Sequence, residues 1–380
     1  MKSLGIRDLL RSMIIFSKVV MQLTSSASPK TYKRFRLMSY CKLNEHFIYD
    51  KFKLKAYHIP NLDVLYKLSR ELEIEPEIID ADTPLEHIAI AITYHCNLSC
   101  RHCFVKTRRL EYSNLDISSI SKLLREAKDL GLLSLTITGG EPFLYKGLFR
   151  LLNNIASLDL VVRVIETNGT LLTTNTLKKL LGYKSVVYAI ATSLDGPKEV
   201  HESIRGYKTF DRAIKSIEML TNLGFNVVVN AVISKHLTML SYGKLRAFLE
   251  LLVQLGVRGV NFLSLYSMSK DLKPSLNGLS RFSVLMNSMY MEFQDKLKIN
   301  LDLPPLMLPR ILREKMVDLN SNCSEPCCHA SRSAYVRADG SIVPCPIWDE
   351  ALGVFGNVKS ARLGEAWCSI VKIRKRVKDL

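Results

Sequence analysis

The stretch His87-Ile-Ala-Ile-Ala-Ile-Thr93, continued by Tyr94 and His95 and then by Cys96-Asn-Leu-Ser-Cys100-Arg-His-Cys103, decides the fold. It opens as an apolar run of strand length. Three thiols follow at once, with spacing C-x3-C-x2-C. Beyond them Ile117, Ile120, Leu123, Leu124, Ala127 and Leu130 recur at helical spacing and stop at Gly131. Asp116 is a suitable N-cap for that helix and Gly131 a suitable stop. A strand, a cysteine loop and a helix therefore follow one another.

The same alternation continues outward. Strand-like runs at 132–138, 160–166, 186–193, 225–233 and 257–263 are separated by helical patterns at 148–155, 177–181, 210–223 and 245–255. Strands regularly alternating with helices predict βαβ units and a parallel sheet. Six such strands are too few for a closed eightfold barrel and suit an open, partial (β/α)6 barrel of the α/β class. The turns Gly139-Gly140, Asn168-Gly169 and Asp195-Gly196 fall just after the second, third and fourth strands. In α/β folds ligands bind at the carboxyl ends of parallel strands, so these turns mark the expected site.

The barrel is expected over 85–266. Residues 1–84 form an N-terminal extension, with an amphipathic helix and a hairpin across Phe47–Tyr57. Residues 267–380 hold a linker, a helix over 282–297, a proline-rich stretch and a cysteine-rich C-terminal region. In the first segment Ile6, Leu9, Leu10, Met13, Phe16, Val20 and Leu23 make one apolar stripe opposite Arg7, Arg11 and Lys18. That stripe suits a helix docked on the enzyme body, and it also suits one lying on a membrane surface. Ser17 and Lys18 interrupt the apolar region too early for a signal peptide.

The net charge of +17 favours anionic partners, although solvated surface charge accounts for it equally well. Lys30, Lys33, Arg34 and Arg36 near one end, and Lys372, Arg374, Lys375, Arg376 and Lys378 near the other, are read as such surface charge. Tyr32 and Phe35 stand among the first group but no aromatic residue among the second, and the basic charge is spread over termini and helix faces instead of forming one single-strand platform, so a nucleic-acid substrate is not expected. No apolar run approaches the ~18 residues of a membrane span. Of nine cysteines, three fall between Cys96 and Cys103 and four between Cys323 and Cys345. Tight clusters in an enzyme-sized chain read as metal ligands in a reducing, cytoplasmic setting.

Three thiolates can hold an iron–sulfur cube while leaving one iron without a protein ligand, as catalytic metal sites keep an open position. A zinc knuckle completed by His95 or His102 is the alternative on spacing alone.

Taken together these motifs resemble the radical S-adenosylmethionine (SAM) superfamily, in which C-x3-C-x2-C follows the first strand. Gly139-Gly140-Glu141-Pro142 resembles the family's GGEP motif, which implies that its backbone and Glu141 hold the methionine amino group of SAM. Glu166-Thr167-Asn168-Gly169-Thr170 and Ser193-Leu194-Asp195-Gly196 are similar to family sequences after strands three and four. The resemblance implies cofactor contacts from Asn168, from Ser193, from Arg205 to the carboxylate, and from Asn230 near the ribose. His102 stands where the family usually has an aromatic residue. The implied chemistry is reductive cleavage of SAM at a [4Fe–4S] cluster on Cys96, Cys100 and Cys103, giving a 5′-deoxyadenosyl radical that abstracts a substrate hydrogen.

Cys328, Gly340 and Cys345 are spaced C-x11-G-x4-C, similar to the opening of SPASM and twitch extensions, which hold auxiliary iron–sulfur clusters. Asp339-Gly340 is the expected hairpin turn between 334–337 and 341–343. Only Cys368 remains of a further cysteine-rich half, so a shortened, twitch-like domain with one auxiliary cluster is expected. Cys323, Cys328 and Cys345 are its candidate ligands, with Cys327 or Cys368 as a fourth. The subgroup implies a peptide, protein or haem-type cofactor precursor as substrate, and a ferredoxin or flavodoxin as electron donor. A tRNA-modifying radical enzyme and a non-catalytic zinc-binding protein are the rival readings.

Overall fold

The computed structural model describes residues 35–51, 53–59, 61–105, 114–266, 269–302, 332–348 and 352–378. The expected N-terminal helix and Cys323, Cys327 and Cys328 lie outside the described residues.

A small sheet comes first. Strands β1 (Phe35–Tyr40), β2 (Glu45–Asp50) and β3 (Lys55–Ile59) form an antiparallel meander in which Ile48 faces Tyr57, as the hairpin pattern requires. Helix α1 (Leu62–Leu72) is capped by Asn61, whose side chain accepts the Val64 amide, and β4 (Glu77–Ile79) returns parallel to β1. Leu65, Leu68 and Leu72 share one face of α1 and bury against Leu37, Ile48 and Ile59.

Arg36 departs from its expected role as solvated charge. It is only 2% exposed, forms a two-pronged ion pair with Glu77, and donates from Nη1 to the Leu132 carbonyl at 2.7 Å. Burial opposes the Glu77 carboxylate, but Arg36 outweighs it and holds the group below its ordinary range. The pair fastens the small sheet to the large one.

The large sheet has ten strands. The chain runs β5 (His87–Thr93), α2 (Ile117–Asp129), β6 (Ser134–Gly139), α3 (Leu148–Ser157), β7 (Val161–Thr167), α4 (Thr174–Leu181), β8 (Ile190–Ser193), α5 (Lys198–Arg205), α6 (Thr209–Asn222) and β9 (Val227–Val232). It continues through α7 (Lys235–Thr238), α8 (Tyr242–Gln254), β10 (Gly259–Leu263), α9 (Leu276–Phe293) and β11 (Lys298–Leu301). Strands β5 to β11 are parallel neighbours in sequence order. The six expected strands are thus present, and β11 adds a seventh that the sequence pattern did not reveal.

After the linker, β12 (Ser333–Val336) pairs parallel with β5, and β13 (Ser341–Val343) and β14 (Gly356–Asn357) continue antiparallel. Asp339-Gly340 makes the expected turn, with Gly340 at φ +94°. Helix α10 (Leu363–Lys378) closes the chain, and Trp367 is buried, its indole donating to the Thr83 carbonyl at 2.7 Å. The sheet runs without a break across residue 266, so the C-terminal hairpin is an edge of the barrel sheet.

Side chains alternate across each strand. Ile88, Ile90 and Ile92, with Leu135, Ile137, Ile165, Val229 and Phe262, face the helices and form the main core. The other face is polar. Thr138 donates to Glu166 at 2.7 Å, and Asn300, Asn261 and Asn230 form a side-chain ladder at 2.7 and 2.8 Å. His87 lies on this inner face, bonded to Ser134 and Thr136 at 3.1 Å each.

Burial pushes the His87 pKa down to about 4, with help from Arg163. The unfolded chain therefore binds this proton at a pH where the folded chain does not, and stability falls as pH drops from the ordinary value of about 6.5 towards 4. Urea titrations at pH 7.5 and 5 should show that loss, and His87→Gln should reduce it. An unchanged pH dependence in the variant would remove His87 from the account of acid lability.

Candidate active site

All three cysteines lie on the loop that leaves β5. Cys100 is 5% exposed, and Cys96 and Cys103 are half-buried. Three neighbours hold the loop. Arg101 donates its amide to the Ile204 carbonyl at 2.9 Å and Nη1 to the Ser203 carbonyl at 3.0 Å, fixing the loop to the last turn of α5. Asn168 donates Nδ2 to Asn97 Oδ1 at 2.9 Å and approaches Cys96 Sγ at 3.8 Å. Gly140 donates its amide to the Thr93 carbonyl at 2.7 Å, and Glu141 donates to the His95 carbonyl at 2.8 Å.

That last contact explains the two glycines. A Cβ on Gly139 would lie 2.2 Å from the Thr93 carbonyl oxygen, and one on Gly140 would lie 2.2 Å from that of His95. Only bare backbone allows the ends of β5 and β6 to approach this closely.

The Glu141 side chain, which the motif resemblance links to the methionine amino group, also has partners within the protein. It has no exposed surface, and its carboxylate accepts from Phe143 N at 3.2 Å, Thr167 Oγ1 at 2.7 Å and Asn168 N at 2.8 Å. Burial raises its pKa in spite of these bonds. The side chain holds the β6 and β7 loops together.

Ser193 and Asn230 stand opposite each other in the β8–β9 register. Both are half-buried, and neither the Ser193 hydroxyl nor the Asn230 Nδ2 donates to a described residue. Ser193 is the last residue of β8, and Asn230 lies two residues before the end of β9.

Arg205 ends α5, a helix the sequence reading missed although Pro197 precedes it and Val200 and Ile204 are spaced four apart. Its Nε donates to Asp195 Oδ2 at 2.6 Å and its Nη2 to Oδ1 at 3.3 Å. Asp195 is fully buried. Burial would raise its pKa, but Arg205 above all, with His102 and His201, holds it well below the usual carboxylate range. Asp195 was seen in the sequence only as part of a turn.

Burial pushes the Cys100 thiol up, and the Arg205 charge works against that rise. Cys96 and Cys103 both act on Cys100 electrostatically, so the three sulfurs share one locality. Yet among the described residues no three His, Cys, Asp or Glu side chains gather closely enough to hold one metal ion. Zinc needs its ligands converging at ~2.0–2.3 Å, whereas a cluster places each thiolate on a different iron. Three thiols on one loop form a donor set that fits such a cluster, and His102 Nδ1 is buried beside them with no hydrogen-bond partner.

The second cysteine region touches the first. Tyr94, Val105 and Cys103 pack with Tyr335, Val343 and Trp348 in one apolar cluster, which joins the first cysteine loop to the β12–β13 hairpin. Cys345 lies just beyond β13, half-buried, and acts electrostatically on Tyr266, three residues past β10.

Residues 90–260 match the sequence model of the radical SAM superfamily, and residues 327–378 match that of SPASM, an iron-sulfur cluster-binding domain. The chain is 33% identical over 145 residues to the antilisterial bacteriocin subtilosin biosynthesis protein AlbA of Bacillus subtilis, covering 38% of this chain and 32% of that protein. It is 30% identical over 166 residues to the mycofactocin maturase MftC of Mycolicibacterium smegmatis, covering 43% and 41%. The chain spans less than half the length of these curated relatives. The fold is similar to that of SuiB from Streptococcus suis, solved with S-adenosylmethionine bound, at a TM-score of 0.66 and 19% identity over 88% of this chain and 86% of that one.

The close approach of the β5 and β6 ends can be tested by adding one methyl group. Gly140→Ala should lower unfolding free energy by about 2–3 kcal/mol, because the clash is with backbone that cannot yield. Gly243→Ala, in α8 with nothing within 4 Å of its Cβ, should be neutral or stabilising by up to ~1 kcal/mol. Equal effects of the two changes in urea denaturation would contradict the packing described.

Proposed function

We propose that this chain, which belongs to the radical SAM superfamily, reductively cleaves SAM and abstracts a hydrogen atom from a peptide or protein substrate. The observation that carries the proposal is the three-cysteine loop, with Cys100 buried, held at the carboxyl end of β5 against the Gly139-Gly140 turn. Cys96, Cys100 and Cys103 would hold a [4Fe–4S] cluster and leave one iron open. With the cluster and SAM bound, one electron breaks the C5′–S bond to give methionine and the radical that takes the substrate hydrogen.

The protein's part is placement. The backbone of Gly139, Gly140 and Glu141 lines the cysteine loop and offers polar groups to the methionine end of SAM. Glu141 fixes that backbone from behind through Thr167 and Asn168. Asn168 supports the loop at Cys96, and Ser193 and Asn230 offer their open hydroxyl and amide groups to the ribose and carboxylate. Arg205 retains Nη1 for the carboxylate after Asp195 takes its other donors. The inner face beneath, with Thr138, Glu166 and the asparagine ladder, gives the substrate a polar wall at the mouth of the sheet.

A peptide is favoured over a haem-type precursor or another small molecule because the subtilosin protein acts in biosynthesis of a bacteriocin. The match to a cluster-binding domain over 327–378 supports an auxiliary iron–sulfur cluster; Cys328 and Cys345 within that stretch and Cys323 just before it would be its ligands. Reducing equivalents would come from a ferredoxin or flavodoxin. No helix among the described residues is long and apolar enough to cross a membrane.

Anaerobically reconstituted protein should carry about eight iron atoms per chain, as two [4Fe–4S] clusters require. With dithionite it should release 5′-deoxyadenosine from SAM. Cys100→Ala should abolish that product, while Ser193→Ala should weaken SAM binding about tenfold, the equivalent of ~1.4 kcal/mol. Product formation by the Cys100→Ala protein would refute the assignment, and four irons with one zinc would make the C-terminal site structural.

A further inference from the structure

One buried ion pair beside the cysteine loop is not explained by cofactor contacts. Asp195 follows β8, has no exposed surface, and is held on every side. Its Oδ1 accepts the Val232 amide at 3.0 Å, tying it to β9. Its own amide donates to His201 Nδ1 at 3.2 Å, tying it to α5. His201 is itself fully buried and packs edge-on against Phe210. What this anchored carboxylate holds is the Arg205 guanidinium, through Nε and Nη2.

Arg205 directly follows Ile204, whose carbonyl accepts the Arg101 amide from between Cys100 and Cys103. The turn that carries the guanidinium and the loop that carries the thiols are therefore one hydrogen-bonded unit. Arg205 acts electrostatically on both Cys100 and Cys103, and its side chain is only 9% exposed. The paired Asp195 carboxylate acts on Cys100 in the opposite sense, but the Arg205 effect is the larger of the two, and charges in such a poorly solvated place are screened little by salt.

We propose that Asp195 is a positioning residue of the cluster centre: it clamps the Arg205 guanidinium beside the Cys100 and Cys103 thiolates, and the clamped charge raises the reduction potential of the cluster. Reduction adds an electron to the cluster, so a nearby fixed cation favours the reduced form; charge and hydrogen bonding around the sulfurs are known levers on such potentials. This role is separate from any contact of Arg205 with the SAM carboxylate, because it operates before SAM binds. It rests on the cluster reading given under Proposed function.

The test is an EPR-monitored redox titration of SAM-free, reconstituted protein in a Cys328→Ala/Cys345→Ala background, so that one cluster titrates. Arg205→Gln should move the midpoint to a more negative value, and Arg205→Lys, which keeps the charge, should lie nearer the parent. Asp195→Asn separates positioning from bare charge. Removing a negative charge would by itself raise the potential, whereas loss of the clamp frees the guanidinium and lowers it.

A lowered midpoint in Asp195→Asn, at parental iron content and circular dichroism, is the expected result. A raised or unchanged midpoint there, or an unchanged one in Arg205→Gln, overturns the proposal. Should Asp195→Asn fail to take up iron, the ordering of the two Arg205 variants decides, and Lys no nearer the parent than Gln overturns it. A parent protein with no reducible cluster would instead be a failure of the cluster reading.

Discussion

Two backbone hydrogen bonds, from Gly140 to the Thr93 carbonyl and from Glu141 to that of His95, set the position of everything at the open end of the sheet. They bring two strand ends closer than any side chain would permit, and the cysteine loop begins at that contact. A loop of eight residues with three thiols has little structure of its own to resist motion. Here it is fixed at its root by the glycine turn, at its middle by Arg101 on α5, and at its flank by Asn168. Fixing a loop in advance means that a bound group need not bear the ordering cost itself.

Buried carboxylates do the fastening behind this surface, in two different electrostatic settings. Glu141 is satisfied by neutral donors, and burial raises its pKa. Asp195 meets burial with a full opposing charge, and its pKa is held low. The first suits a residue that shapes a loop, and the second suits one that must stay ionised to hold a cation. Both would be costly to bury without partners. The β12–β13 hairpin adds a further support, because it joins the sheet beside β5 and packs Tyr335 and Val343 against the first cysteine segment. A second iron–sulfur site built on that hairpin would then be rigidly placed relative to the first.

Much of this was legible in the sequence because it depends on local order. The cysteine spacing, the glycine turns and the alternation of strands with helices are short-range patterns, and the chain folds as they indicate. Features that depend on distant partners were not legible. Arg36 is an ordinary basic residue until Glu77 and the Leu132 carbonyl surround it. Asp195 reads as a turn residue until Arg205 returns to it at the end of a helix that is short and rich in charge. The inward turn of the Glu141 carboxylate is set by Thr167 and Asn168 at the end of another strand, which no motif spacing specifies. Strand β11 escaped notice because its four residues gain their strand character from pairing with β10.

The most direct test of the whole arrangement is the EPR spectrum of the reduced, reconstituted protein before and after SAM is added. An open iron on the cluster that Cys96, Cys100 and Cys103 would hold predicts that SAM changes the g-values of the reduced-cluster signal, because its amino and carboxylate groups would bind that iron. A reduced-cluster spectrum that SAM leaves unaltered would contradict it.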